Sequence, residues 1–371
     1  MSVVLPLGIS FFTFQQIAFL VDAYRGRASE NSLLDYSIFV AFFPQLIAGP
    51  IVHHKEMMPQ FAQSALQGPN LDNIAKGAFI FAIGFWKKVA VADTLSLWVV
   101  QGFGNAQSLN FIEAWTTALA YTFQIYFDFS GYADMAIGAA LMFNIALPIN
   151  FFSPYKAQSI RDFWQRWHIS LSNFLRDYVY IPLGGNANGP PRVYLNLAAT
   201  FLIGGLWHGA GWTFIIWGAL HGAAMVFHRI WSLHGLRLPS TLAWATTFLF
   251  VVVTWVFFRA DTLADALAIL RAMIGLNGIV LPPQLAPLLG NLSVFDVRFS
   301  TYWFTKIDWE SVKYAFALIP CLLIFVTVFR NSVELAERFA FSWRTGLLTA
   351  AGYSLGFALV YRGGEFIYYQ F

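Results

Sequence analysis

The stretch GGLWHGAGWTFIIWGALHG, residues Gly204–Gly222, is an apolar run with an ionisable ring near its start. Its Leu, Ile, Phe and Trp side chains offer water no polar face, so the run reads as a membrane segment. The ring of His208 then stands where a polar group costs free energy, which makes it a functional candidate by default. A second such histidine, His168, lies in RDFWQRWHISLSNFLRDYVYIPLGGN, residues Arg161–Asn186. Histidine is the side chain best poised to exchange a proton near neutral pH. The pair marks where chemistry is expected.

The rest of the chain fits a lipid environment. Of its 371 residues, 58% are hydrophobic and 11% charged. An average soluble domain carries about 25% charged residues, so too few remain here to cover a water-facing surface. Mean hydropathy is +0.59. A net charge of +3 gives no support for nucleic acid as a partner, and the bilayer is the expected one. The single cysteine, Cys321, excludes an intrachain disulfide and a cysteine-ligated metal cluster. In its apolar run it is expected to be a small buried hydrophobe. The opening MSVVLPLGISFF has no basic residues before its apolar stretch and does not read as a cleaved signal peptide.

A crossing helix needs about 20 apolar residues. Candidate runs are Val3–Val21, Leu34–Val52, Ile74–Val100, Phe111–Phe127, Gly131–Leu147, Tyr194–Trp207, Gly211–Ile230, Leu242–Phe258, Tyr314–Phe329 and Thr345–Tyr361. They predict an all-α, polytopic integral membrane protein of about 8–10 transmembrane or re-entrant helices. Pro44, Gly49 and Pro50 in FFPQLIAGPIVHH (Phe42–His54) favour a kinked or re-entrant segment over a straight span. Residues 259–313 read as loops with short interfacial helices. No repeat and no domain boundary is visible, so residues 1–371 read as one membrane domain. Lys87 and Lys88 form one of the densest basic clusters, but positive-inside counting does not fix a topology.

Taken as a helix, Arg161–Asp177 is amphipathic, with Phe163, Trp164, Trp167, Leu171, Phe174 and Leu175 on one face. His168 falls at the edge of that face, so an interfacial, half-wet ring competes with a catalytic one. For His208 a helix–helix hydrogen bond competes. The glycines around it allow either close helix packing or room for a ligand chain. His221 and His228 read as packed or snorkelling residues. Asp128 and Asp134 are buried acids that could orient a histidine, line a polar path, or cap a helix break near Ser130–Gly131. His53 and His54 are adjacent and point apart, and no HExxH or His-x₃-His spacing occurs, so no metal is expected. The sequence has no GxSxG elbow, Walker A motif or GxGxxG.

RWHISLSNFLRDYVYIPLGG and GGLWHGAGWTFIIWGALHG resemble the two histidine motifs of the membrane-bound O-acyltransferases (MBOAT), and more narrowly their bacterial alginate O-acetyltransferase branch. LPLGISFFTFQQIAFLVDAYRG (Leu5–Gly26), FFPQLIAGPIVHH, YFDFSGYADMAIG and the terminal FIYYQF (Phe366–Phe371) match that branch in the same order. The branch is expected to carry roughly a hundred further residues of transmembrane helix before this point, so the chain reads as N-terminally short.

The resemblance implies an acyltransferase of the bacterial inner (cytoplasmic) membrane, multi-pass, with His208 and His168 as catalytic residues. It implies acetyl-CoA or another acyl thioester as donor substrate and no bound cofactor. The acetyl group would pass through a membrane tunnel to periplasmic acetyltransferase partner proteins and on to an exported polysaccharide such as alginate. Peptidoglycan or teichoic-acid acyl transfer is the alternative within the family. A proton-coupled transporter or channel is the alternative outside it. In the acyltransferase reading His208 is the general base and His168 orients the donor or assists proton transfer. Trp207, Trp212 and Asn173 are candidate oxyanion donors, with Asp128 a further tunnel candidate.

Overall fold

A computed structural model describes residues 8–28, 32–45, 49–66, 68–281, 283–289, 297–300, 304 and 306–360. Among these the chain is all-helical apart from two three-residue strands. Helix α1 is Ile9–Tyr24, α2 Leu33–Ala41, α3 His54–Leu66, α4 Leu71–Trp86, α5 Asp93–Gly104 and α6 Phe111–Met142. Two short helices follow, α7 (Ile160–Trp164) and α8 (Ile169–Leu175). Next come α9 (Gly189–His208), α10 (Trp212–Leu233), α11 (Ser240–Arg259) and α12 (Leu263–Met273). The C-terminal part holds α13 (Ala286–Leu289), α14 (Trp309–Val328), α15 (Ser332–Glu337) and α16 (Trp343–Leu359). Strands β1 (Ile279–Leu281) and β2 (Val297–Phe299) pair in parallel. The FIYYQF motif lies outside the described residues.

The centre of the bundle is α6. The expected spans Phe111–Phe127 and Gly131–Leu147 are one unbroken helix of 32 residues, about 48 Å long at 1.5 Å per residue. Asn110 and Glu113 start it with a reciprocal capping box. The expected helix break at Ser130–Gly131 is absent because Gly131 serves close packing instead. A Cβ on Gly84 of α4 would lie 2.5 Å from the Gly131 carbonyl oxygen, and one on Gly77 2.5 Å from that of Gly138. The two glycine pairs recur at the same spacing along both helices and bring the backbones together. Gly84→Leu is therefore expected to push α4 off α6 and lower the melting temperature in detergent clearly, since overpacking costs about 1–3 kcal/mol or more. Unchanged melting would show that the pair is not a constraint.

Around α6 lies a core rich in aromatic rings, including the fully buried Phe123, Phe127, Phe129, Phe163, Trp167 and Trp255. The outer surface is apolar as well: Phe227, Leu233, Val328, Leu348 and Phe357 are all exposed. Cys321 is exposed on α14 rather than buried as expected. Apolar sequence signals burial in protein only when the outside is water, and this exterior is itself apolar. One described helix, Ser240–Arg259, is by itself long and apolar enough to cross a membrane. The run Ile74–Val100 falls short as a single α-helix because Lys87–Ala92 form a π-helical turn between α4 and α5.

The Pro-rich segment breaks as its residues dictate. α2 stops at Ala41, a 3₁₀ turn covers Phe43–Gln45, and Ile51–His53 carry no regular structure. Ile51, Val52 and His53 are nonetheless buried, so this irregular backbone is enclosed by protein.

Candidate active site

His208 is the last residue of α9. The helix ends there because Gly209 adopts an extended conformation (φ 168°, ψ 155°), and a Cβ on it would lie 2.5 Å from the Phe214 ring. Gly205 and Gly218 hold α9 against α10, since a Cβ on either would lie 2.5 Å from a backbone oxygen of the other helix. These glycines therefore serve close packing, not space for a ligand chain. The His208 ring is 5% exposed. It meets Trp207, Trp217 and Phe258 at centroid separations of 4.7, 5.2 and 4.9 Å, each at a steep interplanar angle.

His168 corrects the amphipathic-helix reading. Residues 161–177 do not form one helix: α7 ends at Trp164, and α8 begins at Ile169 after a turn. His168 is the residue before α8 and sits in the left-handed region at φ 44°, ψ 55°. That conformation costs a non-glycine residue roughly 1–2 kcal/mol, so the surroundings must impose it. The Ile169 N–H donates to the Asn150 carbonyl at 3.0 Å. The Asn150 Oδ1 accepts from the Ser170 N–H at 3.2 Å and from the Ser170 hydroxyl at 2.9 Å, and lies 3.2 Å from His168 Nδ1. Ser170 Oγ in turn accepts from the Ile51 N–H at 3.0 Å. His168 is 1% exposed, not half-wet. Phe129 of α6 packs edge-on against it at 4.7 Å.

The fold brings the two histidines together across α1. The Phe11 ring stacks on His168 at 6.0 Å and meets Trp207 edge-on at 5.5 Å, and Trp207 abuts His208. Phe11 and Trp207 thus form a continuous line of ring contacts between the two imidazoles. His168 Nε2 and Trp207 Nε1 are buried without a hydrogen-bond partner among the described residues. A histidine ring nitrogen and a tryptophan N–H, both buried, thus flank one aromatic ring. Trp207 continues into a ladder of near-parallel rings: Phe14 at 4.7 Å, then Phe174, then Tyr178.

Other candidates fall elsewhere. Trp212 is 72% exposed at the start of α10. Asn173 is half-buried on α8, and no described side-chain hydrogen bond joins it to either histidine. Asp128 is paired with Lys88 at 2.6 Å, and Asp134 with Lys87 at 2.6 Å. Neither acid caps a helix break. The basic pair Lys87–Lys88 belongs to the bundle interior, not to a loop. His221 is a packed residue. Its Nδ1 accepts from Trp164 Nε1–H at 3.2 Å, and its Nε2 lies 3.1 Å from Thr254 Oγ1. The Thr254 hydroxyl donates to the Val251 carbonyl, so it accepts from His221 Nε2–H and both ring nitrogens are satisfied. His53 stacks on Tyr178, and His54 packs against Phe19 and Phe39.

Sequence reasoning missed Phe11, Asn150 and Ser170. Phe11 and Asn150 each stand far in sequence from the histidines that they contact. The one local sign was a lone asparagine in the apolar run LPINFF.

The sequence is similar to proteins of known class. A sequence profile of the membrane-bound O-acyltransferase family matches residues 4–260. A peptidoglycan O-acetyltransferase of Helicobacter pylori is 47% identical over all of this chain and 75% of its own length. A probable alginate O-acetylase of Pseudomonas aeruginosa is 47% identical over 73% of this chain and 52% of its own. A teichoic acid D-alanyltransferase of Bacillus subtilis is 28% identical over 55% of this chain and 53% of its own. The chain thus spans three quarters of the first relative's length and about half that of the other two.

Proposed function

The chain belongs to the membrane-bound O-acyltransferase family, and from that premise we propose that it O-acetylates a cell-envelope glycan using the His208–His168 centre. The observation that carries this reading is the burial of both histidines on either side of the Phe11–Trp207 contact. The donor is acetyl-CoA or another acyl thioester presented from the cytoplasm. The protein is a multi-pass component of the bacterial inner membrane, a placement supported by its apolar exterior. Periplasmic acetyltransferase partners complete delivery where the glycan lies outside.

In this mechanism a hydroxyl oxygen attacks the thioester carbonyl while His208 takes its proton. The C–S bond then breaks, and the departing thiolate recovers that proton, giving an ester and a free thiol. General-base help of this kind is worth about 10²–10⁴ in rate, about 3–5 kcal/mol of barrier. His168 holds the hydroxyl or assists the proton's transfer. Trp207 Nε1–H, buried and without a partner among the described residues, is the proposed donor to the carbonyl oxygen as it gains charge.

Peptidoglycan is the first acceptor to test, because the peptidoglycan relative is similar along the whole chain. An alginate-type exopolysaccharide is second, with equal identity over a shorter stretch. Mass spectrometry of muropeptides and exopolysaccharide, from cells with and without the gene, separates them. Loss of acetyl mass from one glycan identifies the acceptor. Unchanged acetylation of both, with teichoic-acid alanylation lost, would replace this reading with the third relative's chemistry.

A further inference from the structure

We infer that Asn150 is a positioning residue that fixes His168 as its Nδ1–H tautomer, leaving Nε2 as the ring atom that accepts a proton or hydrogen bond. The inference rests on the acyl-transfer reading for its consequence, but not for its geometry. It deepens that reading by deciding which atom of the second histidine does the work.

The donors and acceptors around the Asn150 amide decide which of its atoms faces the histidine. An amide side chain can present either its oxygen or its NH₂ group. The atom that faces the α8 turn lies 3.2 Å from the Ser170 backbone N–H, which can only donate. That atom is therefore the oxygen, Oδ1. The Ser170 hydroxyl already accepts from the Ile51 N–H, so its own hydrogen is directed to the same oxygen. The third neighbour is His168 Nδ1 at 3.2 Å. Facing an oxygen that has no hydrogen to give, Nδ1 must carry one. In the neutral ring Nε2 then holds the lone pair, and among the described residues it has no hydrogen-bond partner.

Asn150 is built for this task. It is 1% exposed. Its Nδ2 makes no hydrogen bond among the described residues, so its described side-chain bonding all goes to the histidine turn. Its backbone carbonyl binds the Ile169 N–H next door. One residue thus imposes the left-handed turn and selects the tautomer. Ser170 and Ile51 steady the amide, which links the irregular Ile51–His53 segment to the site.

The test uses the full chain, ¹⁵N-labelled at histidine, in detergent micelles. Above the ring's titration range, the wild-type His168 signal, assigned by its absence in His168→Ala, is expected to show Nδ1 protonated and Nε2 not. Asn150→Ala is expected to lose that signature and to lower acetyl transfer about 10- to 100-fold, by analogy with partners that orient metal-bound histidines. Asn150→Asp keeps an oxygen in place and is expected to retain Nδ1–H and recover part of the rate. A wild-type ring protonated at Nε2 alone would overturn the inference without any variant having to fold. So would an unchanged signature and rate in Asn150→Ala. If His168→Ala acetylates normally, the acyl-transfer role of His168 fails, while the spectra still decide the tautomer.

Discussion

His208→Ala is expected to leave the protein in the membrane at near wild-type abundance while acetyl transfer falls by about 10²–10⁴. The ring contributes edge contacts to three aromatic neighbours, and losing these weakens local packing without removing a helix. The informative control is His221→Ala. His221 is equally buried but has both nitrogens engaged, by Trp164 and Thr254. Its loss strands the Trp164 N–H and opens a cavity, so it should lower thermal stability first and activity only in proportion to folded protein. Abundance by immunoblot, melting in detergent and acetyl content of the glycan together separate the two. Full activity in normally inserted His208→Ala protein would make His208 a packing residue and end the mechanism proposed above.

The second large effect concerns charges that the mechanism does not use. Lys87 and Asp134 are both buried and lie 2.6 Å apart, with Ser332 of α15 donating to Asp134 at 2.7 Å. Lys88 bridges Asp128 and Asp93 one residue further on. These pairs tie the π-helical turn to α6. Removing one partner leaves a charge in a medium that cannot solvate it, at a cost of about 3–5 kcal/mol. Lys87→Ala and Asp134→Ala are each expected to lower the melting temperature and the amount of inserted protein sharply. Lys87→Met combined with Asp134→Leu is expected to recover much of the loss, because a well-packed apolar pair removes the desolvation problem. Single variants as stable as wild type would show that water or lipid headgroups reach the pair and that it contributes little.

Composition and apolar runs were enough to make the chain helical and membrane-like, and its ordered motifs carried the family resemblance. Low charge and long apolar runs leave helices as the economical way to satisfy the backbone in lipid. His168 and His208 stood out because an ionisable ring among Leu, Phe and Trp costs free energy unless a partner or a reaction uses it. Helix starts such as Asn110–Glu113 follow from local bonding, and the end of α2 at Ala41 ahead of Pro44 follows from the residues themselves.

Tertiary structure alone decided the rest. Whether Ser130–Gly131 breaks a helix depended on Gly84 packing against it from α4. Whether Lys87 and Lys88 mark a loop or the interior depended on acids on another helix. The amphipathic reading of residues 161–177 failed at His168 because Asn150 and Ser170 supply hydrogen bonds that favour a left-handed turn over a continuous helix. The Phe11 contact that joins the two histidines comes from α1, far away in sequence. Local pattern encodes the bonds a residue can make with its near neighbours. Pairing of buried polar groups, close glycine contacts and the meeting of the two histidine rings are set by which distant segments fold against each other.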